Sequence, residues 1–408
     1  MVDKSRIKGF FLYQFYRPAQ KLLCLLPNLL CTFLPMKDEI IMESNPDLAD
    51  NTFEVYRYII SKEAFNAYHI VWLVNDPEKY NDSDFPKRVS FFPIHPKSRR
   101  DKIKKYIMCN RAKIIIDCNR HYPKYKTSHT QLNVYLNHGM PLKNLTKYNH
   151  SLGLSCGYTV SQSDFFVPYI MQQQGVKNNQ IIIAGVPRDD QLFIKHDSLI
   201  TAYPDYKQYS KVISWVPTFR KMANGGRVDC VVKQPFGMPV LQSIEDIQAI
   251  NQKLIETNTL LIIKPHPVQD LTFLNGIHSS NIKVLYNDEM LMKGIQTNEL
   301  LEQTDAMITD YSGIYYDYLL LDRPIGITLD DFQDYSDQKG FVFEDPLNVL
   351  QGRKIYTAED FIHFIEEVAK GIDEHKEDRA KANSIVNKGM NGESAKRIVD
   401  FIASQLNN

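Results

Sequence analysis

Short runs of apolar and β-branched residues return along the whole chain, and they restrict its fold more than any other feature. They are AYHIVWLV (67–74), AKIIID (112–117), LNVYLNHG (132–139), QIIIAGVP (180–187), KVISWVPT (211–218), TLLIIKPHP (259–267), IKVLY (282–286) and AMITDYS (306–312). Continuous apolar runs of this length suit strands buried on both faces, as in a parallel sheet covered by helices. Helical patterns lie between them. SIEDIQAINQKLIETN (243–258) sets Ile244, Ile247, Ile250, Leu254 and Ile255 along one face, with Ser243 as a cap. AEDFIHFIEEVAKGI (358–372) repeats that pattern, and AKRIVDFIASQL (395–406) offers a closing helix. The alternation reads as α/β, doubly wound.

A chain of 408 residues exceeds one ordinary core, so two domains are expected. The polar stretch 194–211 separates two series of strands and places the boundary near Pro204. The expected division is an aromatic and basic segment at 1–37, one domain at 38–204, a second at 205–390 and a closing helix at 391–408.

Forty-eight basic residues balance 48 acidic ones, so no global field recruits nucleic acid and an anionic ligand must be held by local groups. Six scattered cysteines (Cys24, Cys31, Cys109, Cys118, Cys156 and Cys230) form no CxxC pair, which reads as reduced thiols in a cytoplasmic protein. The apolar stretch from Leu22 to Leu34 contains Pro27 and is too short to span a bilayer, for which roughly 20 apolar residues are needed. Phe10, Phe11, Tyr13, Phe15 and Tyr16, beside Arg17 and Lys21, suit either contact with the inner face of an anionic membrane or packing on the chain's own domain.

Three segments put reactive residues directly after strand patterns, where open α/β sheets present ligands. In YLNHGMPLKNL (135–145), Asn137 precedes His138, a candidate proton acceptor, and Gly139 allows close backbone approach, with Lys143 following. In LIIKPHPVQD (261–270), prolines stiffen the strand exit and direct Lys264 and His266, a point charge and a directed donor for phosphate oxygens. In DAMITDYSGIYYDYLLLDRPI (305–325), Thr309, Asp310, Tyr311, Ser312 and Gly313 lead into a helix whose start offers amides and a hydroxyl to an anion. Asp317, one turn on, suits ribose or alditol hydroxyls, or a solvated helix face. VPTFRK (216–221) adds Thr218, Arg220 and Lys221, and GVPRDD (185–190) adds Arg188 and Asp189. No Walker loop, GxGxxG or HExxH is present, so no metal is expected and these cations would neutralise a diphosphate.

In this order, HGMPLK, GVPRDDQLF, VPTFR, KPHP and TDYSGIYYDYLLLDRPI resemble the CDP-glycerol glycerophosphotransferase family of teichoic acid polymerases and primases. ESNPDLADNTFEVYRYI (43–59), YHIVWLV (68–74) and KGFVFED (339–345) look similar too, so the resemblance covers roughly residues 38–365. It implies a GT-B architecture, two Rossmann-like domains facing across a cleft, with the acceptor on the N-terminal side and a CDP-glycerol or CDP-ribitol donor on the C-terminal side. His138, at the family's HG motif, would be the general base, and His266, at its HP motif, would hold the donor diphosphate. Thr218, Arg220, Lys264, Thr309 and Asp310 would complete the donor side with Tyr311, Ser312, Gly313 and Asp317. Asn137, Gly139, Lys143, Arg188 and Asp189 would serve the acceptor, a polyol-phosphate or capsular polysaccharide chain. Two departures stand out: Asn137 replaces the family's usual Trp, and Gly313 replaces the second of paired serines. A nucleotide-sugar glycosyltransferase and a non-catalytic scaffold of a polymer-assembly complex are the alternative readings.

Overall fold

The computed structural model describes residues 34–80, 82–119, 131–144, 157–218, 234–266, 269 and 279–406. The aromatic and basic N-terminal residues, Arg220, Lys221 and four of the six cysteines therefore lie outside the described residues, while Cys109 and Cys118 are buried thiols.

Seven strands build the first sheet: β1 (Lys37–Glu43), β2 (His69–Val74), β3 (Val89–Pro93), β4 (Ala112–Asp117), β5 (Leu132–Tyr135), β6 (Tyr158–Ser161) and β7 (Ile181–Ile183). Six build the second: β8 (Lys211–Val216), β9 (Thr259–Ile263), β10 (Ile282–Val284), β11 (Ala306–Thr309), β12 (Ile325–Thr328) and β13 (Arg353–Ile355). The orders are 3-2-1-4-5-6-7 and 10-9-8-11-12-13, and every pairing is parallel. Both repeat the doubly wound arrangement in which the strand order reverses about the first strand, opening a crevice at the strands' C-terminal ends.

All eight apolar runs became strands. The strands that the runs did not announce are short or carry charge. β1 begins with exposed Lys37 and Asp38 and becomes buried only from Ile40, β3 has five residues, and β6, β12 and β13 have three or four each. Their pairing partners, rather than their own composition, make them strands.

Capping chemistry sets the long helices. Ser243 accepts from the Asp246 amide while Asp246 returns the bond, fixing the start of Ile244–Glu256. Thr357 and Asp360 do the same for Ala358–Lys370, which ends at Gly371 in the left-handed conformation.

The closing helix Ser394–Leu406 follows the second sheet in sequence but packs on the first domain. Ile398, Val399 and Ile402 enter its core beside Ile40, Tyr56 and Trp72. The Asp190 carboxylate accepts from the Ser394 and Ala395 amides, both at 2.8 Å, so a first-domain acid caps this last helix.

Candidate active site

The loop after β5 carries His138 and is bound tightly. Asn137 adopts φ +60°, a conformation in which Asn is enriched among residues other than Gly. Its amide donates to Thr159 Oγ1 (3.1 Å) and the Val160 carbonyl (2.9 Å) and accepts from Gln174 (2.8 Å). Asn137 is thus the buried hub of its loop rather than an acceptor contact. Gly139, at φ +128°, lies against Arg188, where an added Cβ would meet Nη2 at 2.9 Å.

His138 is 46% exposed, and its Nδ1 sits 3.1 Å from Asp50 Oδ2. Asp50 Oδ1 accepts from Arg188 Nη1 at 2.9 Å, and the same nitrogen donates to the His138 carbonyl at 2.8 Å. From its other edge the guanidinium binds Asp317 Oδ2 through Nε (2.9 Å) and Nη2 (2.8 Å). One half-buried arginine thereby ties the start of the helix Asp50–Ile60, the base loop and a helix of the second domain together. Burial opposes charge on Asp50, but Arg188 and His138 outweigh it and hold its carboxyl well below the usual range. Burial, with Arg188 opposing it, leaves the Asp317 carboxyl raised, and burial with the nearby Asp317 charge raises Asp189 further.

These contacts revise two roles. Asp317, expected to meet ribose or solvent, is fully buried against Arg188. Asp189, expected on the acceptor side, is buried and accepts from Gln162 (3.1 Å) and Asn298 (2.9 Å), joining the domains.

On the second domain, the loops after β8 and β11 meet at the point where the strand order reverses. The Asp310 carboxylate takes the Thr218 amide (3.0 Å to each oxygen) and hydroxyl (2.6 Å), and Lys143 Nζ reaches Thr218 Oγ1 at 3.3 Å. Thr309 is buried and donates to the Val216 carbonyl. Tyr311 is buried too: its hydroxyl donates to Asp331 and its ring packs 4.4 Å from Tyr335. The side chains of Thr309 and Tyr311 therefore build the loop rather than hold a donor. Ser312 and Gly313 stay partly open. The helix that follows has only six residues, so its local amides, more than a long dipole, are what it offers an anion.

Lys264 is buried, with Nζ donating to Asn287 Oδ1 at 2.9 Å. Burial, reinforced by the nearby Arg188 charge, lowers its amine to about 8. His266, two residues on, is exposed.

The two halves touch through the predicted motifs themselves. An atom added at Gly313 would lie 3.1 Å from the Met140 carbonyl, which gives a steric reason for glycine where the family usually has a second serine. Residues 142–144 pair with 340–342 through Val342 N to Leu142 O (3.0 Å) and Asn144 N to Gly340 O (3.0 Å).

Asp50, Cys118 and His138 bring three ligating atoms within 4.8 Å of one another. They fit a cation poorly. Burial, with Asp50 and Glu43 nearby, pushes the Cys118 thiol well above its ordinary value, and Asp50 is already paired with Arg188.

Two sheets of doubly wound order, facing across a crevice lined by the ends of their strands, define a GT-B protein. The model of the CDP-Glycerol:Poly(glycerophosphate) glycerophosphotransferase family matches residues 29–404, and the chain belongs to that family. It is 29% identical over 240 residues to the teichoic acid poly(ribitol-phosphate) polymerase of Bacillus spizizenii, covering 56% of this chain and 34% of that protein. It is 26% identical over 194 residues to the teichoic acid glycerol-phosphate primase of Bacillus subtilis, covering 47% and 44%. The chain thus spans less than half the length of these two relatives. The wall teichoic acid polymerase TagF superposes with a TM-score of 0.70 at 18% identity, over 97% of this chain and 98% of that one, a likeness of fold.

Missing from the sequence reading were Asp50 and Asn287. Asp50 lies inside the quoted ESNPDLADNTFEVYRYI segment, but nothing local marks it as the partner of a histidine 88 residues away.

Proposed function

We propose that the protein transfers an alditol phosphate, glycerol phosphate first and ribitol phosphate second, from a CDP-alditol to a hydroxyl of a growing polymer. The observation that carries this reading is the seating of the His138 loop against Gly313, which brings the loop of the proton acceptor to the Ser312–Gly313 turn of the second domain. Membership of the family supports the CDP-linked donor, and the names of the relatives support a polyol-phosphate acceptor.

In this mechanism the acceptor hydroxyl gives its proton to His138 while its oxygen attacks the phosphorus that bears the alditol. The bond from that phosphorus to the bridging oxygen breaks, and CMP leaves with the electron pair. Lys264, His266, Ser312 and the Gly313 amide stabilise the diphosphate, so positioning and charge supply the rate enhancement. Residues 38–204 serve as the acceptor domain and 205–390 as the donor domain.

No helix of the described residues is long and apolar enough to cross a membrane. The reaction is assigned to the cytoplasmic face. The helix Arg99–Arg111, with Ile103 60% exposed beside Arg100 and Lys104, supports peripheral contact with anionic lipid.

Purified protein offered CDP-glycerol, CDP-ribitol and nucleotide sugars tests the reading. Release of CMP with extension of a polyol-phosphate acceptor is expected, whereas release of a nucleoside diphosphate from a sugar donor without CMP establishes the glycosyltransferase alternative instead.

A further inference from the structure

His138 departs from the ordinary exposed surface histidine in how completely its near edge is fixed. Its carbonyl is held by Arg188, its neighbours Asn137 and Gly139 stand at positive φ, and its Nδ1 meets a carboxylate. We propose that Asp50 is the positioning residue of the base, holding the proton on His138 Nδ1 so that the Nε2 lone pair faces the acceptor hydroxyl. This rests on His138 being the base.

The geometry of Asp50 is itself over-determined. It stands at φ +58°, a conformation that costs a residue other than Gly free energy unless its surroundings impose it. Its amide donates to Gln296 Oε1 of the second domain at 3.4 Å, and the preceding Ala49 amide donates to Ser44 Oγ at 3.2 Å. The two carboxylate oxygens divide their work, Oδ1 toward Arg188 and Oδ2 toward the imidazole. Arg188 therefore keeps Asp50 ionised and stops it from turning away. A neutral imidazole carries one N–H, and an ionised carboxylate at Nδ1 can only accept it. The remaining nitrogen, on the far edge of a ring that is 46% exposed, is left as the acceptor. Because Gln296 and Asp317 belong to the second domain, this orientation is complete only when the two domains are docked.

Asp50→Asn tests the assignment. Asn tolerates positive φ, so the loop is kept while the fixed charge is lost. The expected result is a fall in kcat for CMP release of about a hundredfold, within the range that a general base contributes. KM and the calorimetric Kd for CDP-glycerol should stay within about twofold, since neither oxygen is asked to touch the donor. A wild-type kcat, or a loss confined to KM, overturns the proposal. His138→Ala in the same assay separates the two readings. If it retains turnover, His138 is not the base, whereas an inactive His138→Ala beside a fully active Asp50→Asn strikes only the role of Asp50. Should Asp50→Asn not fold, 15N spectra of the unmodified protein decide, with the His138 signals assigned by their loss in His138→Ala. The proton is expected on Nδ1, and a proton resident on Nε2 overturns the assignment.

Discussion

The two faces of the crevice handle charge in opposite ways. On the first-domain side, the guanidinium of Arg188 is already paired with Asp50 and Asp317 before any ligand binds. On the second-domain side, the Lys264 ammonium is buried against a neutral amide, Asn287, and its amine is pulled down to about 8. A group fixed by its own partners can orient a neighbour before substrate arrives. A cation buried without a countercharge in contact pays a desolvation penalty that an incoming anion relieves. The first face is built to orient and the second to receive.

Removing His138 should have the largest effect. His138→Ala is expected to lower turnover by roughly a hundredfold to ten-thousandfold while CDP-glycerol affinity is nearly unchanged, as read from CMP release and calorimetry. Nearly normal turnover would break the division between the faces. Arg188→Ala should strand Asp50 and Asp317 without their shared cation and cost about 3–5 kcal/mol of stability, measured by denaturant unfolding. A loss below about 1 kcal/mol would mean that the pair is not complete on its own.

Lys264→Met should weaken donor binding by about tenfold to a hundredfold, the worth of one charge-assisted contact, and leave the fold intact or slightly firmer. In the unmodified protein, donor affinity should decline as pH rises through about 8, where the free amine loses its proton, and Lys264→Met should abolish that decline. A pH-independent affinity would detach Lys264 from the diphosphate.

The smallest effect belongs to Glu54, away from the crevice. Burial raises its carboxyl to about 7 from an ordinary value near 4.5, although Arg57 and Gln191 oppose the shift. Between those values the folded protein binds more protons than the unfolded chain, so stability should fall as pH rises from about 4.5 to 7. Glu54→Gln should flatten that slope and leave the protein about 1–2 kcal/mol more stable at pH 8, within the penalty of an imperfectly paired buried group. An unchanged slope in melts at pH 5 and pH 8 would assign it to other groups.

Much of the framework was legible in the sequence because its signals are local. Eight apolar runs announced strands, Ser243 and the spacing behind it announced a capped helix, and HGMPLK, KPHP and TDYSG marked the loops that line the crevice. Loop position follows from strand direction, which the pattern of a parallel sheet already implies. The fate of individual side chains did not follow. Thr309, Tyr311, Asp189 and Asp317 lie in the right segments, yet all four are buried in contacts within the protein.

The sequence by itself determined that the chain forms two doubly wound sheets and which strand ends carry reactive residues, because apolar periodicity and turn chemistry act over a few residues. Only the tertiary structure decided which of those residues remain available. Asp50 meets His138 across 88 positions, Arg188 meets Asp317 across 129, and Asp190 caps a helix more than 200 residues away. Such partnerships depend on how two sheets dock and on where a closing helix returns, and no local pattern encodes a distance between domains.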